Sequence, residues 1–181
     1  MVEQGWYRQA QRLISSNCNR RPDNTEVSLL VIHNISLPPG EYGNGCVERF
    51  FQNQLPAGEH PYFSTISNLH VSSHCFIRRN GEVVQFVPFS KRAWHAGESC
   101  FDGDENCNDY SIGIELEGTD SEPYAEQQYH SLAALTKSII HQYPKITKER
   151  ITGHSDIAPD RKTDPGPSFD WNHYRSLLEL S

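Results

Sequence analysis

Apolar and polar positions along the chain follow two distinct periods. Residues 27–34, VSLLVIHN, place Val27, Leu29, Val31 and His33 on one face and Leu30 and Ile32 on the other, because side chains alternate across a strand. A run apolar on both faces predicts a central strand covered from both sides, with His33 at its C-terminal end just before the break SLPPG. VERFFQNQL predicts a short helix, and HCFIRRNGEVVQFVP a hairpin turned at Asn80-Gly81, a dipeptide suited to a type I′ turn. In YSIGIELEG, Ile112, Ile114 and Leu116 point one way and Gly113, Glu115 and Glu117 the other. The period then lengthens: Tyr129, Leu132, Leu135, Ile139, Ile140 and Tyr143 have helical spacing, with Pro123 near the start and Pro144 at the end. A short strand around RITGHSD and a final helix in FDWNHYRSLLEL close the chain. Residues 1–26 are polar and irregular, with at most one short helix, and are expected to form an N-terminal arm. This order predicts an α/β fold: a single domain over residues 27–181, with a central mixed β-sheet flanked by α-helices.

Composition narrows the function classes. A chain of 181 residues, 36% of them hydrophobic, fits one domain. The net charge of −7, with no basic face and no aromatic–basic alternation, argues against a nucleic-acid partner, and no obligatory protein partner is expected. No apolar run is long enough to span a membrane. The first residues lack the apolar segment and small-residue cleavage site of a secretory signal, so a cytoplasmic protein is the expectation. Cys18, Cys46, Cys75, Cys100 and Cys107 show no Cys-x-x-Cys spacing and read as free thiols in a reducing compartment, with Cys100 and Cys107 able to bridge only under oxidation.

The chemistry lies at the strand ends. Of nine histidines, His33 and His154 stand apart because each ends an apolar strand. His60, His130, His141 and His173 sit in polar or helical contexts. Ten residues beyond His154 lies Asp164, after Arg161 and Lys162, in a turn built from Pro165, Gly166 and Pro167. A catalytic zinc site takes three N or O ligands and leaves one position open. His33, His154 and Asp164 would supply such a set if the stiff loop turned Asp164 back towards His154. The competing reading is a plain turn, since acids beside prolines are common turn formers. Glu115 is either a strand acid left in water or a general base beside a metal-activated water. Lys162 is either a surface lysine or a cation aimed at the oxyanion that forms when water attacks a carbonyl. No Gly-x-Ser-x-Gly elbow is present.

Three stretches, LLVIHN, WHAG…NDYSIGIELEGTD and GHSDIAPDRKTDPG, together resemble the AmpD-type amidases, zinc N-acetylmuramoyl-L-alanine amidases within the type 2 amidase and peptidoglycan-recognition-protein superfamily. The hairpin SSHCFIRRNGEVVQFVP is similar to that superfamily's histidine-bearing hairpin. The resemblance covers residues 27–171. It implies a peptidoglycan-recognition-protein-like zinc amidase fold with Zn²⁺ held by His33, His154 and Asp164, Glu115 as catalytic acid/base and Lys162 as the transition-state-stabilising lysine. The implied substrate is a small molecule, a 1,6-anhydro-N-acetylmuramoyl peptide cut between the lactyl group and L-alanine during cytoplasmic peptidoglycan recycling. In the producing bacterium this would also lower the muropeptide signal that induces β-lactamase. Asn34, Trp94 and His95 are candidate substrate-binding residues. Trp94 would stack on a sugar or simply pack in the core. The chain departs from the pattern at His70 and Asn106, where relatives carry arginine. The alternatives are an amidase acting on intact periplasmic murein and a non-catalytic peptidoglycan-binding module.

Overall fold

Leu29 to Ile32 are fully buried, and the strand they form lies in the interior of the sheet, as its two apolar faces require. The computed structural model describes residues 1–179. In chain order it contains the short strands β1 (Val2–Glu3), β2 (Trp6–Tyr7), β3 (Gln11–Arg12) and β4 (Cys18–Arg20), and the long strand β5 (Leu29–Ile35). Helices α1 (Cys46–Phe51) and α2 (Pro61–Ile66) follow, then strands β6 (Cys75–Ile77), β7 (Val83–Gln85), β8 (Lys91–Ala93), β9 (Cys100–Phe101) and β10 (Asp104–Glu105). The remainder comprises the second long strand β11 (Ser111–Glu117), helix α3 (Glu126–Gln142), strand β12 (Ile151–Gly153), the single turn α4 (His154–Ile157) and helix α5 (Trp171–Glu179).

The central sheet has six strands in the order β12-β5-β11-β6-β7-β3. All neighbours are parallel except β6 and β7, the hairpin, so the sheet is mixed as expected. Leu30, Ile32, Ile112, Ile114 and Leu116 face α3 and share one core with Leu132, Leu135 and Ile139 of that helix and Tyr174 of α5. Each such side chain contributes about 1.5–3 kcal/mol on burial, which fixes this face of the sheet against the helices. The opposite face carries two smaller apolar clusters. One holds Phe50, Phe51 and Phe63 against Phe76, Val84 and Phe86, and the other Leu29 and Val31 against Ala96, Cys107 and Ile157. His33 and Glu115 emerge on this second face.

Two expectations are corrected. Residues 1–26 hold four short strands and no helix, and β3 pairs with β7 at the sheet edge while β4 pairs with β8; the segment is tied into the fold by backbone pairing that its polar composition does not reveal. At the hairpin tip only Gly81 has positive φ, 86°. Gly81 N–H donates to the Arg78 carbonyl and Arg78 N–H to the Glu82 carbonyl, so the connection is a three-residue loop closed by a left-handed glycine, not a type I′ turn. The five cysteines are free thiols. Among the described residues no helix is long and apolar enough to cross a membrane.

Candidate metal centre

Strand register assembles the site. His33 on β5 lies directly beside Glu115 on β11, and Gly153 on β12 lies beside Ile32, so His154, the next residue, arrives level with His33. Three adjacent parallel strands therefore present His154, His33 and Glu115 in a row at their C-terminal ends, where open α/β sheets carry ligand sites. His154 does not run on into a loop as expected but opens α4. Asp156 secures that turn by accepting from Thr152 Oγ1 and the Gly153 N–H.

The loop after α4 brings Asp164 back. Ser155 N–H donates to the Asp164 carbonyl at 2.9 Å, Asn34 Nδ2 donates to the Pro165 carbonyl at 3.1 Å, and Tyr124 Oη donates to the same carbonyl at 2.7 Å. Gly153 has no room for a side chain, because a Cβ there would lie 2.9 Å from Pro165 Cδ. His33 Nδ1, His154 Nδ1 and Asp164 Oδ2 consequently form a small triangle with edges of 2.9, 3.1 and 3.1 Å. Ligand atoms of a tetrahedral zinc with bonds of ~2.0–2.1 Å stand about 3.3 Å apart. Among the described residues these three are the set able to hold a metal ion.

Protonation makes the need for a cation explicit. His154 Nε2 faces the Ala96 carbonyl at 3.0 Å, which can only accept, so the proton sits on Nε2 and the Nδ1 lone pair points into the triangle. Asp164 stays ionised: burial pushes its carboxyl upward, but the two imidazoles beside it act in the opposite sense and hold it below the usual range. Burial, with His154 beside it, lowers His33 to about 4, so its ring is neutral. Lone pairs and negative charge converging on one point fit a divalent cation.

Glu115, expected as an exposed acid or a general base, is 8% exposed, and its Oε2 has no hydrogen-bond partner. Burial raises its pKa well above the ordinary value, Asp164 adds to the rise, and Lys162 opposes it. Lys162 extends from the Asp164 loop into the same groove. That groove, of about 650 Å³, runs past the triangle and is lined by polar Asn34, Thr119 and Asp120 and by apolar Tyr62, Ile66 and Leu69.

Of the candidate binding residues, Asn34 lines the groove, with its Nδ2 held by Asp120 Oδ1 at 2.7 Å. Trp94 lines it half-buried, its Nε1 donating to Asn19 Oδ1. His95 lies behind His33: one ring nitrogen meets His33 Nε2 at 2.9 Å and the other Ser111 Oγ at 3.0 Å, which leaves neither nitrogen for a ligand in the groove. His70 and Asn106 lie outside the main groove, by smaller side pockets. Sequence reasoning missed Asn108, whose Oδ1 accepts from both the His95 and Ala96 N–H groups, and the structural use of Arg161, which donates to the Ala96 and Glu98 carbonyls. The available signal was Gly113, an isolated glycine in a β-branched strand, which often marks close approach of another group; a Cβ there would lie 2.5 Å from the His95 ring.

Compared with known proteins, residues 23–167 match the family model described as N-acetylmuramoyl-L-alanine amidase. The chain is 55% identical over 178 residues, 98% of its length and 97% of the relative's, to the 1,6-anhydro-N-acetylmuramyl-L-alanine amidase AmpD of Escherichia coli (strain K12). It superposes at a TM-score of 0.96 on the crystal structure of a selenomethionine AmpD derivative, 54% identical, over 98% of this chain and 99% of that one. At a TM-score of 0.62 and 31% identity it also matches, over 87% of this chain and 60% of that one, the N-acetylmuramyl-L-alanine amidase AmiD of E. coli in complex with the substrate anhydro-N-acetylmuramic acid-L-Ala-D-gamma-Glu-L-Lys.

Proposed function

The chain belongs to the N-acetylmuramoyl-L-alanine amidase family, and from that premise we propose that it hydrolyses anhydro-muropeptides in peptidoglycan recycling through a zinc centre at His33, His154 and Asp164. The observation that carries the assignment of the centre is the triangle of two imidazole nitrogens and a carboxylate oxygen, with edges of 2.9–3.1 Å, set one strand away from a buried, unpartnered carboxylate. An N₂O donor set with an open side suits zinc, which when bound would polarise the scissile carbonyl as a Lewis acid and bring the pKa of water down towards ~7.

The protein's own groups supply the remainder. Glu115 Oε2, free of other partners, takes a proton from water as the water oxygen bonds to the lactyl carbonyl carbon. The Lys162 ammonium faces the negative charge gathering on the carbonyl oxygen. Glu115 then returns the proton to the departing nitrogen, the C–N bond breaks, and a lactyl carboxylate and a free L-alanine amine leave. A raised pKa suits both halves of this exchange, because a proton carrier works best near the operating pH. The groove of about 650 Å³ is of the size that takes a small ligand, and its apolar and polar lining suits a glycopeptide. A cytoplasmic setting is part of the proposal, supported by the likeness to recycling amidases.

The test is to incubate the purified chain with anhydro-muramoyl-tripeptide and, separately, with insoluble sacculi, with and without chelator, and to follow peptide release by mass spectrometry. The expected result is release from the soluble muropeptide, abolished by chelator and restored by zinc. Equal release from sacculi points to the intact-murein alternative, chelator-resistant release refutes the metal centre, and no release from either substrate favours the binding-module alternative.

A further inference from the structure

Each histidine of the triangle presents Nδ1 to the metal point, so each must keep its proton on Nε2, and each finds a different kind of partner there. His154 Nε2 faces the Ala96 carbonyl, which enforces the tautomer. His33 Nε2 faces His95 Nδ1 at 2.9 Å, and an imidazole nitrogen can either accept or donate. The ring of His95 is nonetheless committed on every side. Its other nitrogen lies 3.0 Å from Ser111 Oγ, its backbone N–H is held by Asn108 Oδ1, and its face lies against Gly113, where a Cβ would come within 2.5 Å of Cγ and Nδ1. His74 stands behind it with ring centroids 5.7 Å apart. Residues 95 and 96 thus hold one imidazole each of the pair, and Asn108 Oδ1 clamps both of their N–H groups.

Resting on the metal reading above, we propose that His95 is a positioning residue: it accepts the His33 Nε2–H on Nδ1 and donates its own Nε2–H to Ser111 Oγ, a relay that keeps the His33 Nδ1 lone pair turned towards the ion. His95 lines the groove, but both of its ring nitrogens are engaged inside the protein, and this is the role the proposal gives them. Were the relay to run the other way, His95 Nδ1–H would occupy His33 Nε2, and His33 would present an N–H to the metal point in place of a lone pair. The Ser111 hydroxyl rotates to serve either direction, so the ion at the far end selects the productive one. Partners of this kind typically change metal affinity by about 10–100-fold when removed.

The test uses the full chain stripped of metal and titrated with Zn²⁺ against a chromophoric chelator, and with Co²⁺ to record its visible absorption. His95→Phe keeps a ring in the space beside Gly113 and removes both nitrogens; zinc should bind about 10–100-fold more weakly, while the cobalt bands at saturation keep the wild-type pattern because all three ligands remain. His95→Asn restores an acceptor near the position of Nδ1 and should recover most of the loss. Ser111→Ala removes only the far end of the relay and should cost about two- to tenfold, the range of one neutral hydrogen bond. Wild-type affinity in His95→Phe overturns the proposal, as do equal losses in His95→Phe and His95→Asn, or altered cobalt bands at saturation. If His95→Phe does not fold, wild-type affinity in Ser111→Ala overturns it. Failure of the wild-type chain to bind zinc, or undiminished binding in His33→Ala, is a separate result that removes the metal centre itself.

Discussion

Replacing Gly113 with alanine sets two effects of opposite sign against each other. Gly113 lies inside β11 and does not use the left-handed region that favours glycine. On backbone grounds alone alanine should therefore stabilise the strand, by about 0.5–1 kcal/mol. The new Cβ, however, would lie 2.5 Å from His95 Cγ and Nδ1 and 2.8 Å from Cε1, where carbon atoms prefer about 3.5–4.0 Å. The imidazole must retreat by roughly 1 Å, and it has no slack, being held at 2.9 Å to His33 and 3.0 Å to Ser111. A movement of that size across the face of the ring lengthens the His33 contact only to about 3.1 Å but bends it out of the imidazole plane, which weakens it. Overpacking costs about 1–3 kcal/mol, and weakening a neutral hydrogen bond costs part of its about 0.5–1.5 kcal/mol. Against the backbone gain, the net loss centres near about 2 kcal/mol, or about 4–8 °C in the melting midpoint of a chain this size. Circular-dichroism melts of the metal-free Gly113→Ala protein measure it directly, and zinc competition should show weakened binding in the same variant. A midpoint unchanged or raised would mean that backbone preference outweighs the contact, and the close packing of His95 under β11 would be refuted.

Other substitutions separate the remaining roles. Lys162→Ala should retain one equivalent of zinc yet lose about 10²–10³ in kcat; turnover near wild type would dismiss its oxyanion role. Glu115→Gln, nearly the same shape, should fold and bind metal while kcat falls by about 10²–10⁴, and single-turnover assays on the soluble muropeptide read the loss. Asp164→Ala should lose metal and activity together, with elemental analysis reporting well under one zinc per chain; full occupancy would strike Asp164 from the ligand set. In the metal-free protein, burial and then Arg21 hold His74 down at about 3, below the ~6.5 of an unfolded histidine. The unfolded chain then binds the proton first as pH falls, so the stability contributed by the neutral ring is full above ~6.5 and is lost progressively towards pH 3. Burial of His33 and His95 acts in the same sense. Melting midpoints should therefore fall from pH 7 to pH 4, and a flat profile would contradict this.

How far the pattern of residues reveals the molecule depends on the range of the interaction involved. The alternation in β5 and β11 and the helical spacing of α3 are local, and both survive intact in the structure. His33 and His154 stand out in the sequence because each lies where an apolar strand ends, and the structure brings their Nδ1 atoms 2.9 Å apart. The strands of residues 1–26 were not legible: each is two or three residues long, too short for a period; β1 and β2 pair only with each other, and β3 and β4 exist because the distant strands β7 and β8 offer their backbones. The hairpin tip misled for a different reason. Asn80-Gly81 fits two turn geometries, and the choice went to the one in which Asn80 keeps negative φ and its Oδ1 accepts the Glu82 N–H. Asn108 and Arg161 act through backbone groups of residues 95–98. Contacts from a side chain to a remote carbonyl or N–H leave no mark on the pattern of residue types.

The loop that joins His154 to Asp164, with Pro159 inside it and Pro165 and Pro167 just beyond, is explained by what converges on it. Asp164 is the one member of the triangle that neither lies in a strand nor directly follows one, so its position depends on restraints the sheet does not supply. They come from two neighbouring elements: the Asp164 carbonyl is fixed by Ser155 of α4, and the Pro165 carbonyl by Asn34 of β5. Tyr124 adds a third hold from the segment before α3. Prolines lessen the conformational freedom that must be given up in fixing such a loop, which matters where a carboxylate is to be held beside two imidazoles before any cation arrives. Lys162, two residues upstream in the same restrained loop, is positioned together with Asp164. A change that slackens the loop should therefore weaken metal binding and misplace the oxyanion cation at once, whereas truncating Lys162 alone should affect only the second.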